Sequence, residues 1–189
     1  MIRLNQLLVS GLLLLALAFI YSCGQTNTKT EVSKTDTLPP AKKEPEKLGI
    51  YEVDGDSLVI PSFSVSIELS PAAYKRIAGS GETIILDAYY TGVPKDTVGV
   101  EYSEDGQFNL ASSSQEIKTG DTARFEKVKF SRKKYEQLQD KDIEVLVNVY
   151  TGRHTTGDNL LNCDILSDKI SKVADKRFTL KGKLIYGDE

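Results

Sequence analysis

Apolar and polar side chains alternate along several separate stretches of this chain. Phe63, Val65, Ile67 and Leu69 are interleaved with Ser64, Ser66 and Glu68, and the same two-residue period recurs at Ile84, Leu86, Ala88 and Tyr90 and at Ile143, Val145, Val147 and Val149. Successive side chains of a strand point to opposite faces, so this period marks strands with one buried face and one wet face. Further strands are predicted around 98–103, 107–118, 122–130, 160–166 and 176–186, separated by turn-forming runs such as Glu104-Asp105-Gly106 and Thr119-Gly120-Asp121. Seven or eight short strands of this kind imply a sandwich or a barrel.

Two interruptions carry helix signals. Ser70 stands as an N-cap before Pro71, which a first turn tolerates, and the run from Ala72 to Ala78 ends at Gly79. Ser131, with Tyr135 and Leu138 behind it, repeats the arrangement. At a shift of 61 residues Ser70 falls on Ser131, Tyr74 on Tyr135 and Ile77 on Leu138, and then Ile84, Leu86 and Ala88 fall on Val145, Val147 and Val149. An alignment one residue shorter superposes Tyr90-Thr91-Gly92 on Tyr150-Thr151-Gly152 but turns the buried faces outward. The ungapped alignment is therefore preferred. It makes Tyr74 and Tyr135 a matched pair, each packing its helix onto a sheet with the hydroxyl on a backbone partner. The expected fold is mainly β: a single antiparallel β-sandwich, an immunoglobulin-like or C2-like Greek key, with two short helices and an internal duplication.

The alternation begins only after a different kind of sequence. From Leu7 to Tyr21 only Ser10 and Gly11 interrupt an apolar stretch, with Arg3 ahead of it and Cys23 just beyond. This is the layout of a signal peptide. A membrane-spanning helix needs roughly 20 apolar residues, and this run stops short of that. Ile20-Tyr21-Ser22-Cys23 resembles the lipobox of bacterial lipoprotein precursors, with a branched apolar residue three before the cysteine and a small residue one before it. The resemblance implies diacylglycerol on the Cys23 sulfur and removal of residues 1–22. Cleavage without lipidation, leaving a free thiol, and an uncleaved anchor helix are the alternatives.

Residues 23–48 follow as a lipidated N-terminus and tether, with five threonines, five lysines and three prolines between residues 24 and 48. Such a composition buries too little apolar surface to offset the entropy of ordering. Residues 49–189 form the sandwich domain. They hold 18 basic against 23 acidic side chains, in a chain of net charge -3. That balance argues against a nucleic-acid partner, which wants a clustered basic surface. Ser131-Arg132-Lys133-Lys134 is the one dense basic run, read as the solvated first turn of a short helix.

Candidate chemistry is sparse. His154 is the single histidine and Cys163 the second of two cysteines, too few for a usual zinc site. No elbow motif surrounds any serine, and Cys163 reads as a small core residue. Asp54, Asp56, Asp96, Glu104, Asp105, Asp121 and Asp158 in turns leave a calcium-binding C2-like module as an alternative, and a carboxylate-dependent hydrolase as another. No catalytic residue, metal ligand or cofactor is assigned. The turns after two strong strands carry Lys95, Asp96, Arg153, His154 and Asp158, and these are the candidate partner contacts. The reading is a lipid-anchored, non-catalytic binding or assembly module of a bacterial cell envelope. It is held to the membrane through Cys23, on the periplasm-facing outer membrane with display at the cell surface as the alternative, and binds another envelope protein or a glycan.

Overall fold

The computed structural model describes residues 44–96, 98–99, 102 and 107–187. Cys23, the turn Glu104-Asp105-Gly106 and residues 100, 101 and 103 of the strand expected at 98–103 lie outside the described residues; Val98 and Gly99 form a turn, and Tyr102 is not in a strand. In chain order the elements are β1 (Lys47–Leu48), β2 (Tyr51–Asp54), β3 (Ser57–Val59), β4 (Phe63–Leu69), α1 (Pro71–Ser80), β5 (Ile84–Gly92), β6 (Phe108–Ile117) and β7 (Thr122–Phe125). β8 (Lys129–Ser131), α2 (Arg132–Gln137), β9 (Glu144–Thr151), β10 (Leu161–Cys163), β11 (Leu166–Lys169), α3 (Ile170–Val173) and β12 (Arg177–Leu184) complete the series.

The strands make three sheets, ordered β1-β2-β3-β8, β10-β12-β4-β7 and β11-β9-β5-β6. The apolar phase of each strand turns inward, as the period demands. Phe63, Val65, Ala123, Phe125, Leu161 and Leu180 of the second sheet share one core with Ile84, Leu86, Ala88, Tyr90, Val145 and Val147 of the third. The result is the mainly β sandwich that the alternation calls for. Each helix marks a change of sheet: α1 carries the chain from the second sheet to the third, α2 from the first to the third, and α3 from the third back to the second. Each contributes buried side chains to the core: Ala73 and Ile77 from α1, Tyr135 from α2, and Ile170 and Val173 from α3.

Several details differ from expectation. One pair is parallel, β4 with β12, running from Ser64↔Arg177 to Leu69↔Gly182. Both strands enter from the same end, where the Asp175 amide donates to the Ser62 carbonyl at 2.7 Å and the Ser64 amide to the Lys176 carbonyl at 3.0 Å. The stretch 122–130 is two strands in different sheets, because Lys127 adopts a left-handed turn with φ 58. The stretch 160–166 likewise divides into β10 and the start of β11, and α3 is a third helix.

Ser70 caps α1 as expected, its Oγ accepting from the Ala73 amide at 3.3 Å. The helix runs through Gly79, however, and ends at Gly81, whose φ of 73 supplies the left-handed stop. Tyr74 is exposed, not packed: the buried face of α1 is the i, i+4 pair Ala73 and Ile77, which leaves Tyr74 on the flank. Tyr135, its counterpart, is buried against Tyr51 and Phe130. β5 and β9, the two strands that the 61-residue correspondence equates, pair antiparallel, with Asp87 opposite Asn148. Tyr90 is buried and Tyr150 faces outward, as the ungapped alignment requires. The β5–β6 pairing carries a bulge at Tyr90/Thr91, with Leu110 as the extra residue on β6.

Candidate functional site

β9 ends at Thr151, opposite Ile84 at the start of β5, and the chain then leaves the sheet in the turn 152–160. That turn is fastened at its base by Asn159. Its Oδ1 accepts from the amides of Thr151 and Leu161, both at 3.0 Å, and its Nδ2 donates to the Leu161 carbonyl at 2.8 Å. The middle of the turn is fastened by Glu82, which precedes β5 and is only 3% exposed. Glu82 Oε1 accepts from the Thr83 and His154 amides, each at 3.1 Å, and Oε2 accepts from the Thr155 amide at 2.9 Å and hydroxyl at 2.8 Å.

Burial alone would raise the Glu82 pKa. The donations from Thr155, His154 and Thr83 favour the charged form more strongly and hold it down at about 2. With four donors on its two oxygens, this carboxylate is a fastening and not a free base.

His154 reaches the third strand of the arrangement. Its Nε2 lies 2.5 Å from Glu116 Oε1 on β6, and the same oxygen accepts from Thr83 Oγ1 at 2.6 Å. The hydrogen bond and the charge of Glu116 raise the His154 pKa, and the Thr83 and His154 hydrogen bonds lower that of Glu116. Both side chains are about half exposed, so water screens the pair. Gly152 leaves room for this contact, because a Cβ there would press on Thr83 Oγ1 and the His154 ring. We expect the His154 imidazole, followed by NMR, to titrate above its ordinary value of about 6.5. In Glu116→Gln it should fall back toward that value, and an unmoved midpoint would refute the pair.

Arg153 stands at φ 60, and its guanidinium lies 5.9 Å from the centre of the Tyr150 ring. Tyr150 is on the outer face of β9, where its hydroxyl donates to Asp87 Oδ2 at 2.6 Å; that bond, with burial and the Asp87 charge, pushes its pKa up to about 12. The Tyr89 hydroxyl reaches the same oxygen at 3.5 Å. Tyr89 and Leu146 are cross-strand partners, 39% and 40% exposed. A strip of Arg153, Tyr150, Asp87, Tyr89 and Leu146 therefore crosses the outer face of the β5–β9 pair.

The sequence candidates do not assemble into one place. Arg153, His154 and Asp158 share the turn after β9, although Asp158 is engaged there through its carbonyl, which accepts from Thr156 Oγ1 at 3.0 Å. Lys95 and Asp96 follow β5, which runs antiparallel to β9, so they lie at the other end of the sheet, about 25 Å away along eight residues of strand. There the Lys95 amide donates to the Gln137 carbonyl at 2.8 Å, and Asp96 Oδ1 accepts from the Val98 amide at 3.0 Å. Cys163 is part-buried at 3 residues' distance from β11, and burial, with the Asp164 charge, pushes its thiol up to about 11.

The acidic turn residues are engaged separately. Asp54 binds Lys129 Nζ, and Asp121 Oδ2 accepts from the Lys118 amide at 3.3 Å. Among the described residues no group of three or more His, Cys, Asp or Glu is placed to hold a metal ion. No helix of the described residues is long and apolar enough to cross a membrane.

Glu82, Asp87, Tyr89, Glu116, Leu146, Tyr150 and Asn159 were not singled out by the sequence. For the outer-face residues the signal existed: Asp87, Tyr89, Leu146 and Tyr150 occupy the wet phase of two strongly periodic strands. Comparison with family models, with curated proteins and with solved structures gave no significant match.

Proposed function

We propose that this chain is a lipid-anchored, non-catalytic binding module of a bacterial cell envelope, presenting the outer face of β5 and β9 to another envelope protein. The observation that carries the reading is the exposed strip Arg153, Tyr150, Asp87, Tyr89 and Leu146, set on a rigid sheet beside a turn fastened by Glu82 and Asn159. Tyrosine and arginine concentrate binding energy at protein interfaces, because they bring large contact area and hydrogen bonds at small entropic cost. Tyr89 and Leu146 lie on paired strands, which fix their backbones in a common ladder. Asp87 orients both tyrosine hydroxyls.

The address rests on Cys23 and the lipobox resemblance. Two acyl chains hold a protein stably at a bilayer, each buried methylene contributing about 0.8 kcal/mol. Cys23→Ala is expected to lose its lipid label and leave the membrane fraction; retention at the wild-type level refutes the anchor. Crosslinking in intact cells through a photoreactive residue at position 89 tests the surface. We expect capture of a specific partner, with affinity falling by at least about 2 kcal/mol, roughly 30-fold, in Tyr89→Ser with Leu146→Ser. Recovery of the same partner by a domain lacking both side chains would place the interface elsewhere.

A further inference from the structure

The two outer faces of the sandwich differ in chemistry. The outer face of β5 and β9 carries the Tyr89 and Leu146 pair, whereas within its strands the outer face of the second sheet carries no aromatic or aliphatic side chain. Register sets Arg124, Ser64 and Arg177 in one row across β7, β4 and β12, and Thr122, Ser66 and Thr179 in the next. Glu68 and Lys181 follow, then Lys183 beside Asn162. The two-residue period accounts for this composition. Phe63, Val65, Ala123, Phe125 and Leu180 take the inward phase of the same strands, and only polar side chains are left outside. The first exposed apolar side chain, Ile185, comes only after β12 has ended.

Charge on this face is one-sided. Arg177, Lys181 and Lys183 are exposed and make no ion pair among the described residues, and Arg124, with a side chain 74% exposed, lies 3.9 Å from Glu126. Glu68 is the one acid within the rows. Glu126 and Asp164 stand at the margins, where Asp164 Oδ2 accepts from the Lys181 amide at 3.1 Å. Arg124 and Arg177 are two strand spacings apart, about 10 Å, and Lys183 is about 20 Å along β12 from Arg177. A flat cationic patch of that size stands on a chain of net charge -3.

Shape and place select the anion. A protein interface centres on apolar and aromatic anchors and is depleted of charge there, the reverse of this face. A bilayer containing phosphatidylglycerol is flat and negatively charged, and it is held by spread cations. Place points the same way. The chain enters the domain at Lys47 and Gly49, which share a groove with Ser62, Glu126 and Asp175. Ser62 stands two residues before Ser64, Glu126 two after Arg124, and Asp175 two before Arg177. The tether therefore joins the domain at the end of the face where Arg124 and Arg177 stand.

We infer that the outer face of β7, β4 and β12 lies on anionic phospholipid headgroups, with Arg124, Arg177, Lys181 and Lys183 on the phosphates. The Tyr89 face, on the other side of the sandwich, is then turned away from the bilayer. The inference extends the lipid-anchor reading, which brings the domain near a membrane, and its test reads the two separately.

The test uses the full chain with a fluorescent amino acid at position 179 or, for comparison, at position 112 on the third sheet. Vesicles carry a headgroup-labelled energy acceptor and are either phosphatidylcholine alone or two parts phosphatidylcholine to one of phosphatidylglycerol. On the mixed vesicles, transfer from position 179 should exceed that from position 112. It should fall to the phosphatidylcholine level at about 1 M salt, where the screening length is about 3 Å. Each cation near an anionic surface is worth about fivefold. Arg177→Gln with Lys181→Gln should therefore lower the docked-to-undocked ratio at least tenfold, and Glu68→Gln should raise it. Lys95→Gln with Lys133→Gln, exposed cations beside α2, should change it less than threefold. All these side chains are exposed, and an unchanged melting temperature will show that each variant is folded.

Flotation with phosphatidylcholine vesicles reads the anchor alone. If the chain does not float there, the anchor reading fails, and docking is read instead from salt-sensitive flotation with the mixed vesicles, with the same order among the variants expected. The inference is overturned if positions 179 and 112 transfer alike, if phosphatidylglycerol makes no difference, or if the two double variants lose docking equally. Binding of soluble polyglutamate without docking on the mixed vesicles would assign the face to an acidic protein, and that too would overturn it.

Discussion

Replacing Tyr51 with alanine is expected to destabilise the domain by about 3 to 5 kcal/mol, the range for truncating a large buried aromatic. Tyr51 is 1% exposed and meets Phe130 and Tyr135 edge to face, with ring centroids 5.5 and 5.6 Å away. Its hydroxyl donates to the Lys141 carbonyl at 2.9 Å and accepts from the Ile143 amide at 3.3 Å. One side chain thereby joins β2 to β8, α2 and the entry of β9. Alanine removes the ring contacts and also strands the Ile143 N–H in a dry site. Tyr51→Phe separates the two effects: it keeps the packing and should cost about 1 to 2 kcal/mol for the unsatisfied backbone groups. Urea unfolding of the three proteins measures both steps. Near-equal midpoints for wild type and alanine would show that the β1-β2-β3-β8 sheet contributes little to the stability of the domain.

Glu82→Gln is expected to destabilise by about 2 to 3 kcal/mol and to change the acid limb of the stability curve. The shift from an ordinary 4.5 to about 2 corresponds to some 3 kcal/mol, taken as an upper bound because solvent screening weakens such interactions near the surface. The folded pKa is lowered, so the stabilisation is fully present above pH 4.5 and is lost as pH falls through about 2. The wild type should lose stability across that window, and Glu82→Gln should show a flatter profile there. His154 works in the opposite direction. Its pKa is raised, so its contribution is present below about 6.5 and is lost as pH rises through the raised value. In Glu82→Gln the amides of His154 and Thr155 should also exchange faster with solvent. An unchanged acid limb together with protected amides would show that the turn is held by other bonds.

Local patterns explain which elements were legible. β4, β5, β6, β9 and β12 are long enough for their two-residue period to stand out. β2 and β3 are four and three residues long around Gly55, too short for any period to register. Lys127 has no residue-type signal for a left-handed turn, so 122–130 reads as one strand although it serves two sheets. α3 is one turn without a side-chain cap, and nothing in Ile170-Ser171-Lys172-Val173 announces it. Tyr74 and Tyr135 are equivalent in sequence and differ in burial, because α1 and α2 present different faces to the core.

His154 was visible as a residue in a polar turn, but its partners Glu82 and Glu116 are 72 and 38 residues away. A carboxylate bound by four protein donors is indistinguishable, in sequence, from one in water.

By itself the sequence determined the quantities that depend on neighbouring residues: the strand phase, the Ser70 cap and the mainly β class. Only the tertiary structure decided the parallel β4–β12 pair, the strand order β11-β9-β5-β6, and the burial of Glu82 beside the turn after β9. Each of these is a meeting of segments far apart in the chain. Such meetings are chosen by the packing of a shared core and by the need to satisfy buried polar groups, which no local period encodes.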